Sequence, residues 1–169
     1  MKRIVCLILV ISWALCLLAC TQQEDAIQDP VRFYYPRSKI TYGNADSVIA
    51  WEEQEAAGHR EDYLYLLRQY LKGPVSDSLS RTFPRSVMLK DLQISGGTAY
   101  VVLNDYAALV TGLDLTMACA CLTATITELT GVQRVTIRAE HTLLDGNPSI
   151  TMDRDHLLLL DESADAEGN

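Results

Sequence analysis

Residues 4–19 carry no charge and follow directly on Lys2 and Arg3, and this leader stands apart from any folded domain. A spanning helix needs roughly 20 apolar residues, so the run is short for one. Its positive start and apolar middle are those of a secretory signal. Small Ala19 stands before the expected cut, and Thr21, Gln22, Gln23, Glu24 and Asp25 make the chain polar at once. An uncleaved anchor and an ordinary cleaved signal are the alternatives. Without the leader about 150 residues remain, the size of one domain able to bury a core without disulfides. The net charge of the whole chain is −8. Losing Lys2 and Arg3 takes it to about −10. Arg32, Arg37, Arg60, Arg68, Arg81, Arg85, Arg134, Arg138 and Arg154 are scattered and form no run. This balance argues against a nucleic-acid surface and against an electrostatic hold on anionic lipid.

The leader ends in Leu17-Leu18-Ala19-Cys20, which resembles the lipobox of a bacterial lipoprotein signal. Leu18 is bulkier than is usual before the small residue. The resemblance implies that residues 1–19 are removed and that Cys20 becomes a lipid-modified first residue. Each buried acyl methylene contributes about 0.8 kcal/mol, and two chains give stable anchoring. The expected location is the cell membrane, at its extracytoplasmic face. Of the remaining cysteines, Cys6 and Cys16 fall in the leader, and Cys119 and Cys121 fall in a helical pattern. Neighbours two apart on a helix point about 200° from each other, which disfavours pairing. They read as two small apolar thiols.

Residues 20–30 read as a tether next to the lipid, residues 31–160 as one domain and residues 161–169 as an acidic, disordered tail. Within the domain, residues 31–35 are rich in β-formers and stop at Pro36. A turn is expected at 43–46 and a second strand at 47–51, running into Glu52, Glu53 and Glu55, an acidic stretch that is the alternative start of a helix. A helix over 61–72 follows from Leu64, Leu67 and Leu71, with Tyr63 and Tyr70 beside that stripe. Gly73 and Pro74 end it. Residues 87–94 and 98–103, joined by Gly96-Gly97, read as a hairpin with a tight primed turn. A second helix over 114–130 is expected to start at Asp114 and end at Gly131. Its threonines are poor helix formers, so it requires packing on a sheet. Strands at 132–139 and 149–153 complete the order β-β-α-β-β-α-β-β. The fold class is α/β (α+β): a single mixed β-sheet with two helices packed on one face.

Few residues suggest chemistry. His59, His141 and His156 lie far apart without metal-ligand spacing. The Asp153-Arg154-Asp155-His156 cluster lacks the glycine and distal glutamate of a calcium loop. A nucleophile at Cys119 or Cys121 with His141 as base, and a carboxyl pair of Asp105 and Asp114, are the remaining candidates. There is no G-x-S-x-G elbow and no phosphate loop. No catalytic residue, metal or cofactor is therefore expected. Interfaces favour tyrosine and tryptophan, which makes Tyr65, Tyr34 and Trp51 candidate partner contacts.

The order of these landmarks resembles a known family. Leu66-Leu67-Arg68-Gln69-Tyr70-Leu71-Lys72-Gly73-Pro74 looks like the leucine-rich helix and Lys-Gly-Pro signature of the GerMN domain of sporulation and germination lipoproteins. Phe83-Pro84, the Val101-Val102-Leu103-Asn104-Asp105 strand end, Leu113-Asp114-Leu115 and the helix closing at Thr130-Gly131 match in order, over residues 31–140. The resemblance implies a small envelope domain with no known catalysis, acting through protein contacts. The expected function is a lipid-anchored interaction or scaffolding protein of the cell envelope, in sporulation or germination. Its expected partners are the membrane, through Cys20, and envelope proteins or peptidoglycan, but no nucleic acid. The alternatives are a cell-wall-modifying enzyme or accessory, and a small solute-binding lipoprotein.

Overall fold

The structure is a computed structural model, and it describes residues 27–39 and 48–157. The leader, Cys20, residues 21–26, the expected turn at 43–46 and the acidic tail lie outside the described residues. In chain order the elements are β1 (Pro30–Pro36), β2 (Ile49–Glu55), α1 (Tyr63–Tyr70), β3 (Leu89–Ser95), β4 (Thr98–Leu103), α2 (Gly112–Thr130), β5 (Arg134–Ala139) and β6 (Ile150–Asp153). Short 3₁₀ turns lie at Asp105–Leu109 and Arg154–His156. This is the expected α+β order with two helices.

The strands divide into two sheets rather than one. The first is the antiparallel pair β1–β2, and the second runs β3-β4-β5-β6. Only β4 and β5 are parallel, with α2 as their crossover. The reason for the division lies at β1. The Tyr34 N–H, on the side away from β2, donates to Thr125 Oγ1 of α2 at 3.0 Å. A helix side chain therefore occupies the edge through which β1 would join a larger sheet. Tyr34 pairs with Trp51 and Phe33 with Glu52 across the hairpin.

In the four-stranded sheet, alternation decides which face is covered. Ala99, Val101, Leu103, Val135, Ile137 and Ala139 are buried on the face that carries the helices. Tyr100 and Thr136 sit between them on the opposite face, with Tyr100 exposed. The β3–β4 turn has Gly96 at φ +57° and Gly97 at φ +75°, the geometry of a primed hairpin turn.

Helix α2 is buried on every side along residues 118–127. It packs on β5 and β6 and also on β1. A helix that is apolar all round must be a core helix or a membrane span. Here it is the core, which also explains how Thr123 and Thr125 persist in it without any exposure. Its N-cap is Thr111 rather than Asp114, which instead lies in the first turn, where negative charge meets the helix dipole.

Helix α1 is shorter than its pattern suggests. Asp62 caps it by accepting the Tyr65 N–H at 3.0 Å. Its buried face is Leu66, Leu67 and Tyr70, with Leu71 just beyond, whereas Leu64 stays exposed at the rim. Gly73 stops it at φ +94°. The Arg81 guanidinium then covers the helix end, donating to the Leu71 carbonyl at 2.8 Å and to the Lys72 carbonyl.

Candidate interaction surface

The groups with chemical potential are mostly engaged in structure. Cys119 and Cys121 have no exposure. Burial pushes the Cys119 thiol up to about 12, and burial also raises that of Cys121. Reactivity needs thiolate, so neither is available as a nucleophile at neutral pH. The candidate Cys–His arrangement is therefore not formed. His141 is instead tied to Asp105, whose Oδ1 accepts the His141 N–H at 2.7 Å and the Thr142 N–H at 3.2 Å. Asp105 Oδ2 lies 3.2 Å from His141 Nδ1. These hydrogen bonds, the His141 backbone bond first, lower the Asp105 pKa. The carboxylate fastens the segment after β5 onto the end of β4. Asp105 is thus accounted for as a structural clamp, not as half of an acid pair. No group of three or more His, Cys, Asp or Glu able to hold a metal occurs among the described residues.

The three aromatic candidates meet different fates. Tyr34 is 4% exposed and lies in the interior. Its hydroxyl lies 3.4 Å from Glu128 and 3.5 Å from Arg154, and burial raises its pKa. Arg154 also donates to the Ala124 carbonyl at 3.2 Å and to Thr127 Oγ1 at 3.1 Å, so the cluster pins the segment after β6 to α2. Trp51 is half-buried, with the Arg32 guanidinium 4.3 Å above its ring. Tyr65 is half-buried and stacks on His59, with ring centroids 3.9 Å apart. Trp51 and Tyr65 remain at the surface, while Tyr34 does not.

A more coherent surface lies where α1 runs beside β3. Its two ends carry opposite charge. One opening, of about 630 Å³, is lined by Glu61, Asp62, Tyr63 and Leu64 from the start of α1 and by Leu92 and Ile94 of β3. The other, of about 440 Å³, is lined by Arg68, Leu71, Lys72, Arg81, Arg85, Val87, Met88 and Leu89. Helix and strand are therefore antiparallel along the seam. Arg60, Lys90, Arg134 and Arg154 each lie within 4.0 Å of a carboxylate. Arg68, Lys72 and Arg85 pair with no carboxylate among the described residues, and no acidic residue lines their groove. The sequence hides this cluster. Arg68 and Lys72 are one helical turn apart, but Arg81 and Arg85 arrive through the loop that Gly73-Pro74 opens.

The chain matches the family model Germane, of sporulation and spore germination, over residues 32–145. Its fold is similar to the tandem GerMN domains of the sporulation protein GerM from Bacillus subtilis, with TM-score 0.53 and 15% identity. That match covers 74% of this chain and 45% of the other, so the chain spans less than half of its relative. A protein from Clostridium perfringens described as a lipoprotein matches with TM-score 0.47 and 17% identity, over 75% of this chain and 89% of that one. No curated protein matches. The likeness in fold and the family match over more than half of the chain together place it: the chain belongs to the Germane family of sporulation and spore germination domains.

Proposed function

We propose that the chain is a lipid-anchored, extracytoplasmic and non-enzymatic interaction domain of the cell envelope that serves sporulation or germination. The observation that carries the reading is the family match over residues 32–145 behind a leader that ends at Cys20. The engagement of Cys119, Cys121, Asp105 and His141 in the fold supports a role through contacts rather than bond chemistry.

The test is made in the native organism. Cys20→Ala is expected to block lipid labelling and processing, leaving the uncut precursor, and to reproduce the sporulation or germination defect of a deletion. Retained lipid labelling and cleavage at the same position would refute the anchor. A normal course of both developmental processes in the deletion strain would refute the role. Hydrolysis of purified peptidoglycan by the protein, lost on one polar substitution, would replace the contact reading with an enzymatic one.

A further inference from the structure

The cationic end of the α1–β3 seam is a groove with two fixed walls. One wall is the end of α1. Arg81 is held across it by its bonds to the Leu71 and Lys72 carbonyls, and the Tyr70 hydroxyl holds the same loop through Thr82 at 2.9 Å. The other wall is the segment before β3, and buried Asn104 sets its path. The Asn104 side chain donates to the Ser86 carbonyl at 2.9 Å and accepts the Met88 N–H at 3.1 Å. Its own N–H donates to the Met88 carbonyl at 3.0 Å. Both walls are set by bonds between separate segments of the chain, so a ligand has little left to order.

The charge in this groove has no internal answer. The dipole at the end of α1 favours Arg68 and Lys72. It does not call for Arg85, which arrives from another segment, and Arg81 already covers the open carbonyls. Four like charges in one groove repel each other, and no carboxylate lines it. Taking these four cations from the chain's −8 leaves −12 for everything else. The groove is therefore a cationic spot on an acidic protein.

That contrast limits the length of what can bind. A long polyanion would lay most of its charge against acidic surface, whereas a short segment can keep its charges inside the groove. The apolar lining adds a second requirement. Leu71, Val87 and Leu89 are buried, and Met88 is 55% exposed beside them. A phosphate-linked sugar or polyol chain has no side chain to cover that methionine, but a peptide does, and methionine adapts to the shape it meets. The volume of about 440 Å³ suits a few residues. We propose that the groove docks a short acidic peptide segment of a partner protein. Its carboxylates lie on Arg68, Lys72 and Arg85, and one apolar side chain lies against Met88. Arginines meet carboxylates through paired N–H···O bonds, the chemistry by which arginine clusters recognise acidic motifs. This assignment rests on the contact role proposed above and gives it a site.

The test presents the full-length protein, purified in detergent, with an array of short peptides that each carry several carboxylates and one leucine or phenylalanine. Matched peptides have amides in place of the carboxylates, or serine in place of the apolar residue. Fluorescence polarisation then measures the best binder. Acidic peptides with an apolar residue are expected to bind, both matched changes to weaken them, and added salt to weaken them further. Arg68→Glu with Arg85→Glu is expected to reduce affinity by about tenfold or more, because charge-assisted hydrogen bonds are lost and repulsion replaces them. Met88→Asp is expected to do the same. Arg134→Glu, a charge reversal on β5 away from the groove, is expected to leave binding unaltered. All four positions are exposed, and unchanged circular dichroism shows that each variant keeps the fold.

No peptide bound more tightly than its amide counterpart overturns the proposal, as does binding that survives the reversal in the groove. Binding of polyglycerol phosphate instead of the peptides, lost on the same reversal, gives the groove to a phosphate polymer and overturns it too. The assay depends on neither Cys20 lipidation nor a developmental defect. Peptide binding beside a normal deletion strain keeps the groove and refutes the sporulation or germination role. A defective deletion strain beside no binding does the reverse.

Discussion

The Lys-Gly-Pro signature after α1 can be explained one residue at a time. Gly73 is at φ +94°, where an L side chain is strained. A Cβ there would also lie 2.9 Å from the Arg81 guanidinium carbon. The glycine lets an arginine from the following loop reach the carbonyls that the helix leaves open. Glu52 secures the same turn by accepting the Val75 N–H at 2.8 Å and the Ser76 N–H at 2.9 Å. Gly73→Ala is expected to lower the unfolding free energy measured by urea melts by about 1–2 kcal/mol, from backbone strain and the displaced cap together. The same substitution in an Arg81→Ala background is expected to lose less, because the close contact is gone. Asp105 sets a pH dependence. Its folded pKa is depressed, so its stabilisation is present above the ordinary carboxylate range and fades as pH falls through the folded value. Asp105→Asn is expected to lower stability at neutral pH and to flatten the acid limb of the stability curve, read by urea melts across pH.

Among the elements, α2 has the largest part. It fills the core of the four-stranded sheet and also closes the edge of β1. Thr125→Val keeps the shape but leaves the buried Tyr34 N–H without its partner. The expected loss is about 1–3 kcal/mol, with Thr125→Ser close to wild type, measured by denaturant unfolding. Cys119 and Cys121 report on the same helix, since neither thiol is exposed. Their alkylation is expected to be negligible in the native protein and to follow the unfolding transition in urea. Rapid native labelling would show that α2 opens locally. The helix shows why periodicity reaches only so far. Its spacing locates it in the sequence, but a face buried by a strand edge and a face buried by a sheet look alike there.

At the scale of the whole molecule, α2 joins the two sheets, so the β1–β2 hairpin has no independent stability to keep it folded. Trp51, on β2, is the one tryptophan outside the leader. In the protein freed of its leader, its fluorescence and far-UV circular dichroism are expected to give coincident urea transitions. Separate midpoints would mean that the hairpin detaches first. The order of strands and helices was legible in the sequence, because alternation, the Gly96-Gly97 turn and the glycine stops act over a few residues. The split into two sheets was not, because it depends on α2 packing along β1, where Tyr34 bonds to Thr125, 91 positions away in the chain.

The sequence by itself therefore determined what local chemistry controls: the leader pattern at Cys20, the order and kind of the elements, and the family signature around Gly73. The tertiary structure decided what depends on distance through space. It buried Tyr34 rather than presenting it. It paired Asp105 with His141 instead of Asp114, and it gathered Arg68, Lys72, Arg81 and Arg85 into one groove. Residues that look scattered along a chain become neighbours only when burial and hydrogen bonding choose which strand edges to close and which to leave open.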